Sequence, residues 1–455
     1  MKNREALIRK YDVPVPRYTS YPTVPCWDIA NFSSAAWLRA VEQAFDESNE
    51  AKGISLYIHL PFCESLCTYC ACNTRITKNH SVEQRYIQSL LTEWELYRYI
   101  FGDRPVLREL HLGGGTPTFF SPENLRHLLE SILKNCSIHP QHEFSFEGHP
   151  NNTTREHLQT LASLGFQRVS FGVQDLDPRV QQVIHRIQPL SNLEQVVHDA
   201  RAEGFTSIGF DLIYGLPYQT QATIIHTFEE VIRLNPDRIA FYSYAHVPWL
   251  KPGQRGYEDA DLPGDIEKRQ LYETGRTLLR EAGYEDIGMD HFARRHDTLF
   301  RARESGKLNR NFMGYTTSNT DLLIGLGASA ISDAKYAYAQ NLKGVEEYEQ
   351  QVSQHKLPLL KGHVQTDEDL LVRRCIKAIV CQGTLDVKFL HEVTTPAITE
   401  RLHEMKGEGI ITLTDASLQL TDEGNVFVRN VCRLFDKRQD ALHTTSKGPV
   451  FSKAI

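Results

Sequence analysis

From Ile54 onward the chain alternates short runs rich in β-branched and aromatic residues with longer amphipathic stretches. This alternation constrains the fold more than any other feature. Six runs read as strands: Ile54–Leu60, Leu107–Leu112, Glu143–Gly148, Arg168–Val173, Ser207–Ile213 and Arg238–Tyr244. Helical patterns fill the gaps. In the first, from Ser81 to Ile100, Tyr86, Leu90, Trp94 and Tyr97 share one face at helical spacing. Others run from Asn124 to Lys134, Thr154 to Gly165 and Asn192 to Gly204, the last two ending in a glycine C-cap signal. Repeated strand–helix units need right-handed crossovers and give parallel strands. The predicted class is therefore α/β, a partial (β/α)6 TIM-like barrel. Loops that follow the strands share one face of such a sheet, and chemistry gathers there.

That face is well furnished. Tyr57–Cys72, reading YIHLPFCESLCTYCAC, leaves the first strand and carries Cys63, Cys67, Cys70 and Cys72. GGGTPT (Gly113–Thr118) follows the second strand and Glu147 ends the third. Gln174 follows the fourth, Asp211 lies late in the fifth, and Ala245 and His246 follow the sixth.

The rest of the chain flanks this unit. Residues 1–50 read as an N-terminal arm with a helix or two, including an extended PRYTSYPT segment whose tyrosines are expected to pack. Residues 51–345 form the barrel and its extension. Residues 360–455 read as a mostly helical, winged-helix-like domain with one hairpin, IITLTDASLQLT, and a polar tail after Asp436. The net charge of −7 argues against a nucleic-acid partner, so this domain is expected to be a lid or support. No apolar run reaches the roughly 18 residues of a membrane span. The charged start, MKNREALIRKYD, lacks the apolar stretch of a signal peptide, so the expected location is cytoplasmic. A monomer is expected.

Nine cysteines are an odd and modest number. Cys26, Cys136, Cys375, Cys381 and Cys432 are scattered and read as small buried apolar residues. The clustered ones, Cys63, Cys67 and Cys70, have the spacing C-x3-C-x2-C. A structural zinc site wants four closed ligands, usually as two separated pairs. A thioredoxin-like pair would be C-x2-C alone. Three thiolates suit a 4Fe-4S cluster with one iron open to a small molecule. Cys72 reads as a spare thiol, because a fourth ligand would close that iron.

This loop, placed after the first strand of a partial barrel, resembles the radical S-adenosylmethionine enzymes. PRYTSYPT, YIHLPFC, CTYCAC, GGGTPT, FGVQD, DLIYGLP, YAHVP, GMDHFAR, NRNFMGYTT and GLGASAIS together resemble the oxygen-independent coproporphyrinogen III oxidase family over nearly the whole chain. Relatives that carry haem keep the three cysteines, typically have phenylalanine at the position of Cys72, and lack the PRYTSYP arm. The resemblance implies oxidative decarboxylation of two propionates of coproporphyrinogen III to vinyls, giving protoporphyrinogen IX in haem biosynthesis. A haem chaperone or another tetrapyrrole-acting radical protein is the alternative.

Carried over by residue, the resemblance implies that Cys63, Cys67 and Cys70 hold the cluster. Tyr57, Tyr69, Gly114, Glu147 and Ile331 would lie against one S-adenosylmethionine. Gly115, Thr116, Gln174, Arg186, Asp211 and Ala245 would hold a second. Tyr57, His59 and Phe312 are the candidate catalytic residues. Arg17 and Arg310 are candidates for the substrate carboxylates. A flavodoxin or ferredoxin would supply electrons. Met313 stands where some relatives carry glutamine, and a thioether cannot donate the hydrogen bond an amide can. Gly148-His149 likewise differs from several relatives. Cys72→Ser is expected to keep full iron content after anaerobic reconstitution; loss of iron would make Cys72 a ligand.

Overall fold

The computed structural model describes residues 2–439 and residue 451. Six parallel strands form its centre: β1 (Ile54–Leu60), β2 (Val106–Gly114), β3 (Ser137–Gly148), β4 (Phe166–Gln174), β5 (Ser207–Tyr214) and β6 (Arg238–Ser243). They stand in chain order within a 12-stranded sheet. Beyond β1 the sheet continues with Leu323–Leu326, parallel to it, and then with Ile331–Asp333, Ala337–Asn341 and Leu359–Val364, all antiparallel. Beyond β6 it continues with the antiparallel strands His291–Arg294 and Tyr284–Gly288. The first and last barrel strands are not paired, so the barrel is partial, as expected.

Strand alternation explains why this sheet curls around a polar lumen. One set of residues is apolar and wholly buried: Leu56 and Ile58 on β1, Leu110 and Leu112 on β2, Phe144 and Phe146 on β3, Phe210 on β5. These face the surrounding helices and make the main core. Their neighbours in sequence are polar: Ser55, Tyr57 and His59; Glu109 and His111; Glu143, Ser145 and Glu147; Arg168 and Ser170; Asp211; Arg238 and Tyr242. The floor of the lumen is tied together by charge. Arg168 Nε lies 3.1 Å from Glu143 and Arg238 Nε 2.8 Å from Asp297. Glu109 accepts from Ser55 at 2.7 Å and Thr316 at 2.6 Å.

The helices sit where periodicity placed them. Val82–Phe101 buries Tyr86, Leu90, Trp94 and Tyr97 completely. Gly165 and Gly204 both take φ +90° just beyond their helices, a conformation that favours glycine. Ser34–Lys52 starts with Ser33 accepting from Ala36 N at 3.2 Å, and buries Trp37, Val41, Ala44 and Phe45 in the barrel core. Residue 50 thus lies inside a helix that belongs to the barrel core. Residue 360 lies inside the sheet strand Leu359–Val364.

A second core joins the arm to the C-terminal domain. Tyr11, Tyr18 and Tyr21 pack there with Ile379, Phe427 and Val431, so the arm tyrosines do pack. Arg429 donates to the carbonyls of Pro16 (3.0 Å) and Val15, and Asn430 to that of Tyr11 at 2.8 Å. Asp367–Gln382, Val387–Val393 and Pro396–Gly407 surround a three-stranded antiparallel sheet built from Thr384–Asp386, Ser417–Leu420 and Ile411–Leu413. The last helical pattern forms a 3₁₀ turn, Gly424–Phe427, and a short helix, Val428–Arg433. At the start of the expected polar tail, Asp436 and Gln439 are buried. Residues 440–450 and 452–455 of that tail lie outside the described residues.

Glu93, fully buried on the helix Val82–Phe101, pins the turn that leads to Ile331. It accepts from Gly327 N (2.8 Å), Asn341 (2.7 Å) and Tyr348 (2.7 Å). Burial pushes its carboxyl up to about 7. A carboxyl raised in the folded state stabilises fully below its unfolded value near 4.5 and loses that contribution as the pH rises through about 7. The urea midpoint is expected to fall across pH 5–8, and Glu93→Gln to lack that part of the fall. Identical slopes would contradict it.

Candidate active site

Backbone hydrogen bonds clamp the cysteine loop on both sides. Gly115 N donates to Leu60 O at 2.8 Å and Thr116 N to Phe62 O at 3.0 Å. Arg75 N reaches Pro61 O at 2.8 Å and Thr77 N reaches Cys63 O at 2.9 Å. Further along, Thr68 N donates to Ile184 O at 3.0 Å, and Gln254 to Tyr69 O at 3.3 Å. A side chain at 115 would put its Cβ 2.5 Å from Pro61 O and 2.8 Å from Phe62 O, so only glycine lets the two loops meet.

The thiols of Cys63, Cys67 and Cys70 are free and half-buried, and that of Cys72 is free in an exposed residue. Cys63 Sγ lies 3.4 Å from Thr116 Oγ1. Arg186 places Nη1 3.5 Å from Cys67 Sγ and donates through Nη2 to Gly172 O at 2.6 Å. Burial pushes the Cys63 thiol up to about 11, with Cys70 and Cys67 adding to the rise, so the three share one electrostatic site. A hydrogen bond from Cys72 draws the Cys70 thiol down to about 6. Three thiols on one clamped loop, with the Arg186 guanidinium beside Cys67, offer the donor atoms that an iron–sulfur cluster takes, and metal binding would displace the Cys63 proton that burial favours. The cysteine set therefore fits the group that the spacing implies.

Above β1–β3 the lumen wall is built from aromatic and acidic side chains. Tyr57 OH lies 3.0 Å from His59 Nδ1, and His59 Nε2 lies 2.9 Å from Asn73 O. A carbonyl only accepts, so Nε2 carries the proton and Nδ1 accepts from Tyr57. Burial lowers the imidazole's pKa from its ordinary value. His111 pairs with Ser145 at 2.7 Å and approaches Glu147 at 3.5 Å, and its ring stacks with that of Tyr57 at 6.0 Å. Glu147 accepts from Gly114 N at 3.3 Å. Burial, and then the charge of Glu147, push Asp211 up to about 7. Two carboxyls lining one lumen form an acceptor surface suited to an ammonium group and ribose hydroxyls. Gly114, at φ +118°, keeps the wall open; a Cβ there would lie 2.8 Å from the His59 ring.

The other expected residues are distributed around this centre. Thr116 touches Cys63, and Gln174, in the left-handed region at φ +67°, places its amide beside Gly172 and Arg186. Tyr69 and Ala245 are joined through Gln254, which donates to both carbonyls. Ile331 borders Gly325, whose Cβ would lie 2.5 Å from Ile331 O. Arg17 pairs with Asp290 at 2.5 Å and lies over Tyr242, its charge centre 5.6 Å from the ring. Arg310 lies 4.5 Å over Tyr315, and its Nε and Nη1 are buried without a hydrogen-bond partner among the described residues. Phe312, at the turn of the hairpin Asn309–Asn311/Gly314–Thr316, meets Tyr338 edge-on at 5.7 Å. Sequence reading missed His111, Tyr242 and His291. The first two were open to inference, since each falls on the polar alternation of its strand, as Tyr57 and His59 do.

A three-cysteine loop after the first strand of a partial barrel, facing an acceptor-lined lumen, is the arrangement of the radical S-adenosylmethionine enzymes. The Radical SAM superfamily model matches residues 57–231. The oxygen-independent coproporphyrinogen III oxidase of Cereibacter sphaeroides is 38% identical over 434 residues, covering 94% of each chain. That of Escherichia coli is 36% identical over 438 residues, covering 95% of this chain and 94% of the relative. A solved structure, the coproporphyrinogen III oxidase of Escherichia coli described as a radical SAM enzyme, superposes with a TM-score of 0.87 at 35% identity, covering 95% of this chain and 98% of that one. The chain belongs to the family of oxygen-independent coproporphyrinogen III oxidases. It is thus a radical enzyme that uses S-adenosylmethionine and a 4Fe-4S cluster. Gly115→Ala is expected to cut iron and sulfide incorporation several-fold, measured by colorimetric analysis of reconstituted protein, with the far-UV spectrum retained. Full incorporation would show that the clamp does not position the cysteines.

Proposed function

We propose that this chain converts two propionate side chains of coproporphyrinogen III to vinyls, giving protoporphyrinogen IX in haem biosynthesis. Each side chain loses one hydrogen atom, carbon dioxide and one electron, the electron passing to an external one-electron acceptor. When bound, the cluster and S-adenosylmethionine supply one-electron reductive cleavage and a hydrogen-abstracting carbon radical. The protein's part is to bind, orient and shield.

Cys63, Cys67 and Cys70 hold the cluster in this reading, with Arg186 beside Cys67. Glu147 receives the ammonium of one S-adenosylmethionine, against Tyr57, Tyr69, Gly114 and Ile331. A second is held by Gly115, Thr116, Gln174, Asp211 and Ala245, within reach of Arg186. Tyr57 and His59 form the wall that the reacting side chain meets. The Tyr57 hydroxyl donates to His59 Nδ1, and the His59 Nε2 proton goes to Asn73 O, so both rings are held in place. Phe312, on the hairpin beside Tyr338, is the third candidate catalytic residue in this reading. The substrate is a tetracarboxylate, and the observation that carries its recognition is Arg310. Its buried donors have no partner among the described residues, and its charge is felt at Tyr242 and His291. Arg17, held by Asp290, offers a second cation on the same side. An external electron carrier, flavodoxin or ferredoxin, supplies the reductant. The enzyme works as a cytoplasmic monomer, and its net charge of −7 speaks against a nucleic-acid partner.

Reconstituted protein given S-adenosylmethionine, a reductant and coproporphyrinogen III without oxygen is expected to form protoporphyrinogen IX, read by mass spectrometry. Stoichiometric haem binding with no such product would overturn the assignment in favour of haem carriage. Arg310→Gln removes charge-assisted hydrogen bonds of roughly 1.5–3 kcal/mol, so the substrate KM should rise on the order of 10- to 100-fold with kcat little changed. Arg17→Ala should act in the same direction, and an unchanged KM in both would place these cations outside the substrate site.

A further inference from the structure

Reductive cleavage of S-adenosylmethionine consumes an electron from outside the reacting pair. The five cysteines away from the cluster loop offer no relay. Cys136, Cys375, Cys381 and Cys432 are buried as core residues, and Cys26 stands alone on the arm. The electron therefore enters at the cysteine loop itself. Electron transfer weakens steeply with distance, so the donor must touch the protein within a few residues of the thiolates.

Three segments surround the outer side of that loop. Leu66 lies within it, next to Cys67, and is 47% exposed. The segment after Val183 is fastened to it through Thr68, which donates to Ile184 O at 3.0 Å and Val183 O at 3.2 Å, and presents Ile187, 67% exposed. The segment 247–256 is fastened through Gln254 to Tyr69 O and through Lys251 Nζ to Cys72 O at 3.3 Å. It presents Trp249, 60% exposed, and Leu250, 68% exposed, and its Gly253 sits against Leu66, a Cβ there lying 3.6 Å from Leu66 Cδ2. Large apolar side chains left to solvent around one loop mark an interaction surface.

The segment that carries Trp249 and Leu250 is itself cationic, with Asp259 following it, exposed and 3.3 Å from His246. Segment 247–256 contains Lys251 and Arg255 and no acid. Arg255 donates to Pro248 O at 3.0 Å, and neither cation meets a carboxylate among the described residues. Within 64–80 the one acid, Glu64, is engaged by Asn152 at 3.1 Å and His80 at 3.3 Å. An apolar, cation-edged patch on a protein of net charge −7 fits a partner whose own surface is acidic.

We infer that Leu66, Ile187, Trp249, Leu250, Lys251 and Arg255 form the docking face for a small acidic one-electron carrier protein, set over the cysteine loop. The inference rests on the reading of this chain as a cluster-bearing radical enzyme. In the encounter the carrier is oxidised by one electron and the cluster reduced by one. The apolar residues give contact area close to the thiolates, and Lys251 and Arg255 orient the approach.

The test uses the full chain reconstituted with its cluster and a bacterial flavodoxin. Trp249→Ser/Leu250→Ser and, separately, Arg255→Glu are compared with wild type. Kd is measured by calorimetry, the rate of cluster reduction by stopped-flow absorbance with reduced flavodoxin, and S-adenosylmethionine cleavage with dithionite. The double variant is expected to raise Kd and slow reduction by flavodoxin at least tenfold. Arg255→Glu should do so at low salt, with its effect fading as salt rises. Cluster absorbance and dithionite-driven cleavage should stay within twofold of wild type. Unchanged flavodoxin affinity and rate in both variants, or no flavodoxin binding by wild type, would overturn the docking face. An equal loss with dithionite would also overturn it, giving the segment a role inside the site. Failure of wild type to cleave S-adenosylmethionine with dithionite would instead defeat the functional reading beneath it.

Discussion

The structure depends on a short stretch of backbone pairing that continues past the end of a sheet. β1 and β2 run in parallel register to Leu60 and Gly114, and the hydrogen bonds from Gly115 N to Leu60 O and Thr116 N to Phe62 O carry the pairing on into the cysteine loop. Arg75 N and Thr77 N hold the loop's other edge. A segment bearing three thiols would otherwise be a mobile surface loop. Paired this way, its first cysteine is set against Thr116, while Arg186 on the segment after β4 reaches the second. The glycine at 115 is the condition for the pairing, since any Cβ would strike the Pro61 carbonyl.

The same strands supply the other half of the site through their alternation. Apolar residues turn outward to the helices and make the stability of the barrel, so the inward set is released for chemistry and is polar almost throughout. Near the floor each cation faces a carboxylate, as with Arg168 and Glu143 or Arg238 and Asp297, although Arg168 Nε, Arg238 Nη1 and Glu143 Oε1 make no hydrogen bond among the described residues. Toward the mouth the charges are not so paired. Glu147 and Asp211 line one lumen, and Arg310 keeps buried donors without a partner among the described residues. Unmatched groups cost stability, and their place above a charge-paired floor is where a ligand can settle the balance. The arm and C-terminal domain share a core and bring Arg17 to Asp290, so the second domain acts on the barrel mouth through the arm.

Much of this was legible in the chain. The strand-to-helix alternation, the C-x3-C-x2-C loop and the family motifs pointed to a partial barrel of the radical S-adenosylmethionine class, and the fold and the relatives bear that out. Local signals of this kind survive because period-2 alternation and glycine positions act within a few residues. Arg186 was read as a contact of the second S-adenosylmethionine only; it also touches Cys67, across a sequence gap of 119 residues. His291 went unread, since it takes its meaning from the neighbouring strand, whose Tyr242 it meets edge-on at 5.6 Å.

The sequence by itself determined which side chains could do chemistry, because spacing along a strand decides which face of a sheet a residue joins. The tertiary structure alone decided how those side chains are paired. It gave His59 its tautomer by setting Asn73 O against Nε2, left two buried donors of Arg310 without a partner among the described residues, and gathered Leu66, Ile187 and Trp249 on three segments fastened around one loop. Each of these joins groups from distant parts of the chain, and hydrogen bonds and ion pairs depend on distances in space that no local pattern encodes.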